Sequence, residues 1–297
     1  MEVTLAGPRT LRVGCPSTDF CRAQTSAILD RITAKKERVS LEIVDVDAEA
    51  ADAATLAEAT GAGACDFFVC SARDVPIELP DDVAIAACTE RRDPFDVLVA
   101  KEGALLEDLA EGARLAVESS RVAVQIAGFR SDLAIEKIVG TVDRLLDRLN
   151  GGEFTAFIVA AEQVEILGWE HAVSEVFPPD IILPAAGQGS FAVVARRSDE
   201  QTWDIAQVID HKVSHQVLRA ERAFLRELGV RSTDPVAVHG AFEGDTLVLE
   251  ALLGDEVSGA ILRDDLDGRA EEEDDLGVRL AKLFVADGAR DYLASYR

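Results

Sequence analysis

The sequence predicts an α/β protein: two doubly wound sheets, followed by a smaller α+β tail. Three observations carry this. Short apolar runs alternate with helical stretches, the alternation restarts once after Cys88, and the segment beyond about residue 212 pairs a hairpin with two helices instead.

Taken in order, Leu11–Gly14 reads as a strand, and Thr18 as the cap of a helix running to about Lys36. Phe20, Ala23, Ala27, Ile28 and Ile32 would form the apolar face of that helix. Leu41–Val46 is a second strand, and Ala48–Ala59 an alanine-rich helix. Gly61-Ala62-Gly63 then leads into a third strand, Phe67–Cys70, and Val83–Cys88 is a fourth. In the second round Val97–Ala100, Leu115–Val117 and Phe157–Ala160 are strand-like. Val122–Phe129 and Ile135–Leu149 read as helices, the latter stopped by Asn150-Gly151-Gly152. Ser190–Ala195 reads as a strand returning to the first unit. Behind a helix from about Val213 to Leu228, Val236–His239 and Thr246–Leu253 form a hairpin-like pair, and a last helix covers about Leu276–Ala286.

Two such units joined by crossing strands predict a ligand cleft between them, beyond the carboxyl ends of the strands. The loops at those ends are Gly14–Thr18, Ser71–Pro76, Glu118–Arg121 and Ala185–Gly189. The domain boundaries read as 9–92 with 190–208, then 93–189, then 212–297.

Composition narrows the function. The chain has 297 residues and a formal net charge of -25, from 55 acidic and 30 basic residues, which excludes nucleic acid and anionic membrane as partners. No apolar run approaches the roughly 20 residues of a membrane helix, and Met1–Thr10 has no signal-peptide pattern. A cytoplasmic, monomeric protein is expected. Lysine is scarce: Lys35, Lys36, Lys101, Lys137, Lys212 and Lys282 are all of it. A dispersed acidic surface with so little lysine reads as adaptation to a salty cytoplasm. Cys15, Cys21, Cys65, Cys70 and Cys88 show neither CxxC spacing nor an even count, so buried free thiols are expected. His211 and His215 have helical i, i+4 spacing but no third ligand nearby, and no metal site is expected.

Several segments resemble hydroxymethylbilane synthase (porphobilinogen deaminase), in family order and spacing from about Arg12 to the end. Cys70-Ser71-Ala72-Arg73-Asp74-Val75-Pro76 resembles H-S-x-K-D-x-P, and Cys88–Pro94 resembles C-x-E-R-x-D-P. Pro184–Gly189 matches P-A-x-G-Q-G, Ala220–Leu225 is similar to A-E-R-A-x-L, and Asn150–Ala156 to N-G-x-Y-D-A. The resemblance implies two periplasmic-binding-protein-like domains with a C-terminal α+β domain. It also implies a dipyrromethane cofactor held by a cysteine thioether, and stepwise joining of four porphobilinogen units. On it Asp74 is the catalytic carboxylate facing a developing positive charge. Arg12, Ser71, Arg73, Ser119, Ser120, Arg121 and Gln188 become candidates for binding a small pyrrole or another small anionic metabolite.

The departures are as informative. The family's G-G-C-x-x-P-I-G loop reads Gly229-Val230-Arg231-Ser232-Thr233-Asp234-Pro235-Val236, so Ser232 stands where the cofactor cysteine belongs. A thiolate attacks readily near neutral pH, whereas a serine hydroxyl needs a dedicated base. No covalent dipyrromethane is expected here. The family's arginine pair in S-S-L-R-R-Q becomes Ser119-Ser120-Arg121-Val122-Ala123-Val124. Both arginines of L-R-G-N-V-G-T-R are aliphatic in Ile138–Leu145, and Pro16 replaces the arginine of A-T-R-x-S. Arginine forks are what grip the carboxylates of pyrrole substrates, so the standard tetrapolymerisation is expected to be lost or altered. The alternative is a metabolite-binding or regulatory module without catalysis.

The acidic composition carries a measurable consequence. Self-repulsion weakens the fold at low ionic strength and is screened as the Debye length shrinks to about 3 Å at 1 M salt. The thermal midpoint should rise steadily from dilute buffer to molar potassium chloride; a flat or falling curve would show that the acidic surface is no salt adaptation.

Overall fold

The computed structural model describes residues 10–16, 19–36, 39–46, 53–138 and 140–294, with Asp19 and Phe20 described by backbone alone. The expected cap Thr18, the first part of the alanine-rich helix (48–52) and Val139 lie outside the described residues. The chain divides into two compact units, Met1–Glu90 with Ser190–His215, and Arg91–Gly189 with Gln216–Arg297.

In the first unit the strands are β1 (Thr10–Cys15), β2 (Ser40–Asp45), β3 (Phe67–Ser71), β4 (Val83–Cys88) and the returning β10 (Phe191–Arg196). They form one sheet in the order β2-β1-β3-β10-β4, with β1 parallel to β2 and β3 and with β10 antiparallel to both of its neighbours. The helices are α1 (Asp19–Lys35), α2 (Ala53–Gly61) and α6 (Glu200–Ala206). Leu11, Val13, Phe67, Val69 and Val193 of the sheet pack with Ile28, Leu29 and Ile32 of α1 and Ile205 of α6. The buried stripe of α1 is rotated from the expected one. Gln24 and Thr25 are buried with the isoleucines while Ala23 and Ala27 face water. Thr25 can be buried because its hydroxyl donates to the Cys15 sulfur at 3.5 Å.

The second unit repeats the arrangement with β5 (Asp96–Ala100), β6 (Arg114–Val117), β7 (Ala134–Lys137), β8 (Ala156–Ala160) and β9 (Glu175–Phe177), in the order β7-β6-β8-β5-β9. Here β6 is parallel to β7 and β8, and β5 runs antiparallel to β8 and β9. The helices are α3 (Ser120–Phe129), α4 (Val142–Asn150) and α5 (Ala161–Ile166). Strand alternation sorts the core: Val97 and Val99 pack with Val142, Leu145 and Leu149 of α4. Their neighbours Leu98 and Ala100 pack with Val122 and Ile126 of α3. A sheet covered on both faces needs apolar residues at successive positions, which is why its strands read as unbroken apolar runs.

One helix expected over Ile135–Leu149 is in fact β7 followed by α4. Ile135 and Ile138 have helical spacing, yet Ala134–Lys137 pairs with Arg114–Val117, and Gly140 separates the two elements. In the C-terminal part the helix α7 (Lys212–Leu228) precedes β11 (Val236–Glu243), β12 (Thr246–Gly254) and β13 (Ile261–Arg269), an antiparallel sheet in that order. α8 (Glu273–Ala286) and α9 (Ala289–Ala294) close the chain. The hairpin and both long helices stand where the sequence puts them; α5, α6, α9, β9 and β13 are additions to the expected elements. β13 hides because its acids, Asp264, Asp265 and Asp267, break the apolar signal on an edge strand. Charge there discourages further pairing. Among the described residues no helix is long and apolar enough to cross a membrane.

α8 lies so close on α7 that a Cβ at Gly277 would sit 2.2 Å from the Ala220 carbonyl oxygen and 2.9 Å from the Ala223 Cβ. On an exposed helix glycine-to-alanine gains about 1 kcal/mol. Here Gly277→Ala should instead lower the unfolding free energy by about 2 kcal/mol, read by urea titration. Ser190→Ala serves as the counterpart, because the Ser190 hydroxyl is fully buried with no hydrogen-bond partner among the described residues. That change should be neutral or stabilising. A stable Gly277→Ala would contradict the packing described.

Candidate functional site

In the first unit the carboxyl end of β3 runs into a turn carrying Ser71, Arg73 and Asp74. Ser71 is buried, Ala72 donates its N–H to the Ser190 carbonyl at 2.8 Å, and Val75 is buried as the anchor beyond. The turn thus presents Asp74 outward, its side chain 55% exposed, with the Arg73 Nε 3.5 Å from its carboxylate. An exposed carboxylate beside a single guanidinium can still face a cationic partner.

Arg12, another of the candidate binding residues, is turned to a different place. Its guanidinium donates to the carbonyls of Gly63 and Ala64 at 2.9 Å each, and to Asp66 at 3.3 Å. Asp66 precedes β3, at the opposite end of that strand from Asp74, and is only 1% exposed. Arg196 reaches the same carboxylate at 3.3 Å. Arg12 therefore closes the α2–β3 loop around a buried acid.

In the second unit Ser119 caps α3, accepting the Val122 N–H at 3.3 Å, and the Ser120 hydroxyl accepts from Lys137 at 3.0 Å. Arg121 is turned inward. Its fork meets the buried Asp96 at 2.8 and 2.9 Å, and it also donates to the Leu183 carbonyl at 2.8 Å and to Gln188 at 3.3 Å. Gln188 is itself buried, donating to Asp96 at 3.2 Å and accepting the Ala185 N–H at 3.2 Å. These two candidates are brought together, but as the interior brace of the 184–189 loop. Their donors are already committed there.

Residues outside the expected set hold the same loop. Glu221 on α7 is wholly buried and accepts both arms of Arg91 at 2.8 and 2.9 Å. It also accepts the N–H groups of Gly187 at 2.7 Å and Gly240 at 2.8 Å. Glu162 accepts the Gly189 N–H at 3.0 Å. Gly189 has φ +82, and a Cβ there would lie 2.9 Å from the Asp93 carbonyl oxygen, so only glycine fits. Beside the hub His239 is pushed down to about 4 by burial and stays neutral at physiological pH. The signal for these residues is present in part: Asp96 directly before Val-Leu-Val-Ala, and Glu162-Gln163 directly after an apolar strand, are charges set in core runs.

The loop that would carry a cofactor thioether runs from α7 into β11. Ser232 sits exposed in its turn. The nearest carboxylate in sequence, Asp234, is buried and committed to Arg231, accepting its backbone N–H at 2.8 Å and its guanidinium at 2.9 and 3.1 Å. The second unit contains no cysteine at all, every thiol of the chain lying at or before Cys88. Burial pushes the Cys15 and Cys65 thiols up, away from the reactive thiolate form. A thioether-linked dipyrromethane does not fit these residues. His211 and His215 turn to separate partners: the Ser214 hydroxyl lies 2.9 Å from one, and Asp210 lies 2.7 Å from the other.

Residues 11–204 match the family described as porphobilinogen deaminase, dipyromethane cofactor binding domain. Porphobilinogen deaminase of Roseiflexus sp. (strain RS-1) is 38% identical over 237 residues, covering 80% of this chain and 78% of that protein. The porphobilinogen deaminase of Thermus thermophilus is 31% identical over 300 residues, covering 97% of this chain and 100% of its own. A putative methionine-binding lipoprotein of Bacillus subtilis overlays 69% of this chain and 92% of its own, at a TM-score of 0.45 and 12% identity. On the family match and these relatives, the chain belongs to the porphobilinogen deaminase family.

Proposed function

We propose that this chain is a divergent member of its family in tetrapyrrole metabolism, in which the standard tetrapolymerisation of porphobilinogen is lost or altered. What it retains is the binding of a small pyrrole or another small anionic metabolite. The observation that carries the reading is the loop after α7. Ser232 is an exposed hydroxyl, its neighbouring acid is spent on Arg231, and the unit around it has no thiol. Without an anchored primer the chain cannot be extended on the protein. The arginines add to this: Arg12 and Arg121 are held by Asp66 and Asp96, so neither is free to grip a substrate carboxylate.

One observation favours retained chemistry as a second reading. Asp74 remains exposed at the end of β3, where it can stabilise a cationic intermediate. The assay is ammonia release and uroporphyrin formation from porphobilinogen in molar salt, with wild type, Asp74→Ala and Ser232→Cys side by side. Wild type and Asp74→Ala should be equally inactive, and Ser232→Cys should not restore turnover. Turnover by wild type that falls by about 100-fold or more in Asp74→Ala, the factor of roughly 3 kcal/mol, would overturn the reading in favour of the second.

A further inference from the structure

The carboxyl ends of β6, β7 and β8 bring together Glu118, Lys137 and Glu162. Lys137 is the cation of this set, and an incoming ligand carboxylate would be drawn to it and repelled by the other two. The lysine is already engaged. Its ammonium donates to the Ser120 hydroxyl at 3.0 Å and to both carboxylate oxygens of Glu256 at 3.0 Å each.

Glu256 comes from the turn that joins β12 to β13, and that turn is built to hold it. The Asp255 carboxylate accepts the Val257 N–H at 2.9 Å and the Ser258 hydroxyl at 2.7 Å. The Asp255 N–H donates to the Ala260 carbonyl and the Gly259 N–H to the Asp255 carbonyl, each at 2.8 Å. The Ser258 hydroxyl and the Val257 N–H hold the Asp255 carboxyl below the usual carboxylate range, so the brace stays ionised. Fixing the turn in advance lowers the entropy lost when Glu256 meets Lys137. The pair itself stays partly in water, with Lys137 51% and Glu256 27% exposed, so it is a weak contact that a competitor can break.

We propose that Glu256 is an internal latch: its carboxylate holds the position on Lys137 and beside Ser120 that a ligand carboxylate would take, and binding displaces it. This rests on the reading that the chain binds a small anionic metabolite. Displacement would leave the 255–260 turn carrying a released acid and the 85% exposed Val257, which is a change a partner or a second site could sense.

The test is isothermal titration calorimetry of the full chain with porphobilinogen as the probe, for wild type, Glu256→Gln and the double variant Glu256→Gln with Lys137→Met. Thermal midpoints first establish that all three are folded. Removing the internal competitor should tighten binding by about fivefold to tenfold, and the gain should vanish in the double variant. Equal affinity of wild type and Glu256→Gln would overturn the latch while leaving the binding reading in place. A gain that persists in the double variant would also overturn it, since Lys137 would then not be the seat. No binding by any of the three folded proteins would overturn the binding reading, and the latch with it.

Discussion

A carboxylate taken out of water must be matched by a cation fixed beside it, and three such acids organise this chain. Asp66 is met by Arg12 and Arg196 and closes the amino end of β3. Asp96 is met by Arg121 and, through Gln188, ties the start of β5 to the 184–189 loop. Glu221 is met by Arg91 and joins that same loop to α7 and β11. Losing one partner of such a pair leaves a buried charge uncompensated, at a cost of about 3–5 kcal/mol. The arginines are therefore bound to the fold before any ligand is considered.

Most strands of the two five-stranded sheets are legible in the sequence as short apolar runs. Val83–Cys88 and Val97–Ala100 need no correction beyond a residue, because a strand covered on both faces leaves no room for polar positions. β7 reads as helix because four residues at a sheet edge carry too little period to outweigh the helix that follows them. β13 is hidden for the opposite reason: an edge strand protects itself with acids, and acids erase the pattern. The face of α1 is turned because Thr25 is buried through a bond to Cys15, a partner that helical periodicity does not reveal.

For the site, what the sequence conveys is identity, and what it withholds is direction. Ser232 in place of a thiol is a fact of the sequence, and the structure adds that the residue is exposed beside an acid turned elsewhere. Arg12 and Arg121 look alike in sequence as candidates for gripping a carboxylate. Which carboxylate each one grips depends on residues 54 and 25 positions away, Asp66 and Asp96. Glu221 and Lys137 draw their meaning from backbone N–H groups and side chains brought up by other elements, so no local pattern marks them. Asp74 is singled out by the resemblance of its segment, and the structure adds that it stands exposed on a turn anchored by the buried Val75.

On the proposed reading, in which Ser232 stands where the anchoring thiol belongs, the chain should carry no pyrrole after purification. Intact-mass spectrometry of the protein made in a host that supplies porphobilinogen reads this directly. The mass should be that of the bare polypeptide, 31.9 kDa, with no added pyrrole units. A stable increment equal to a dipyrromethane, on any residue, would contradict the loss of the anchor.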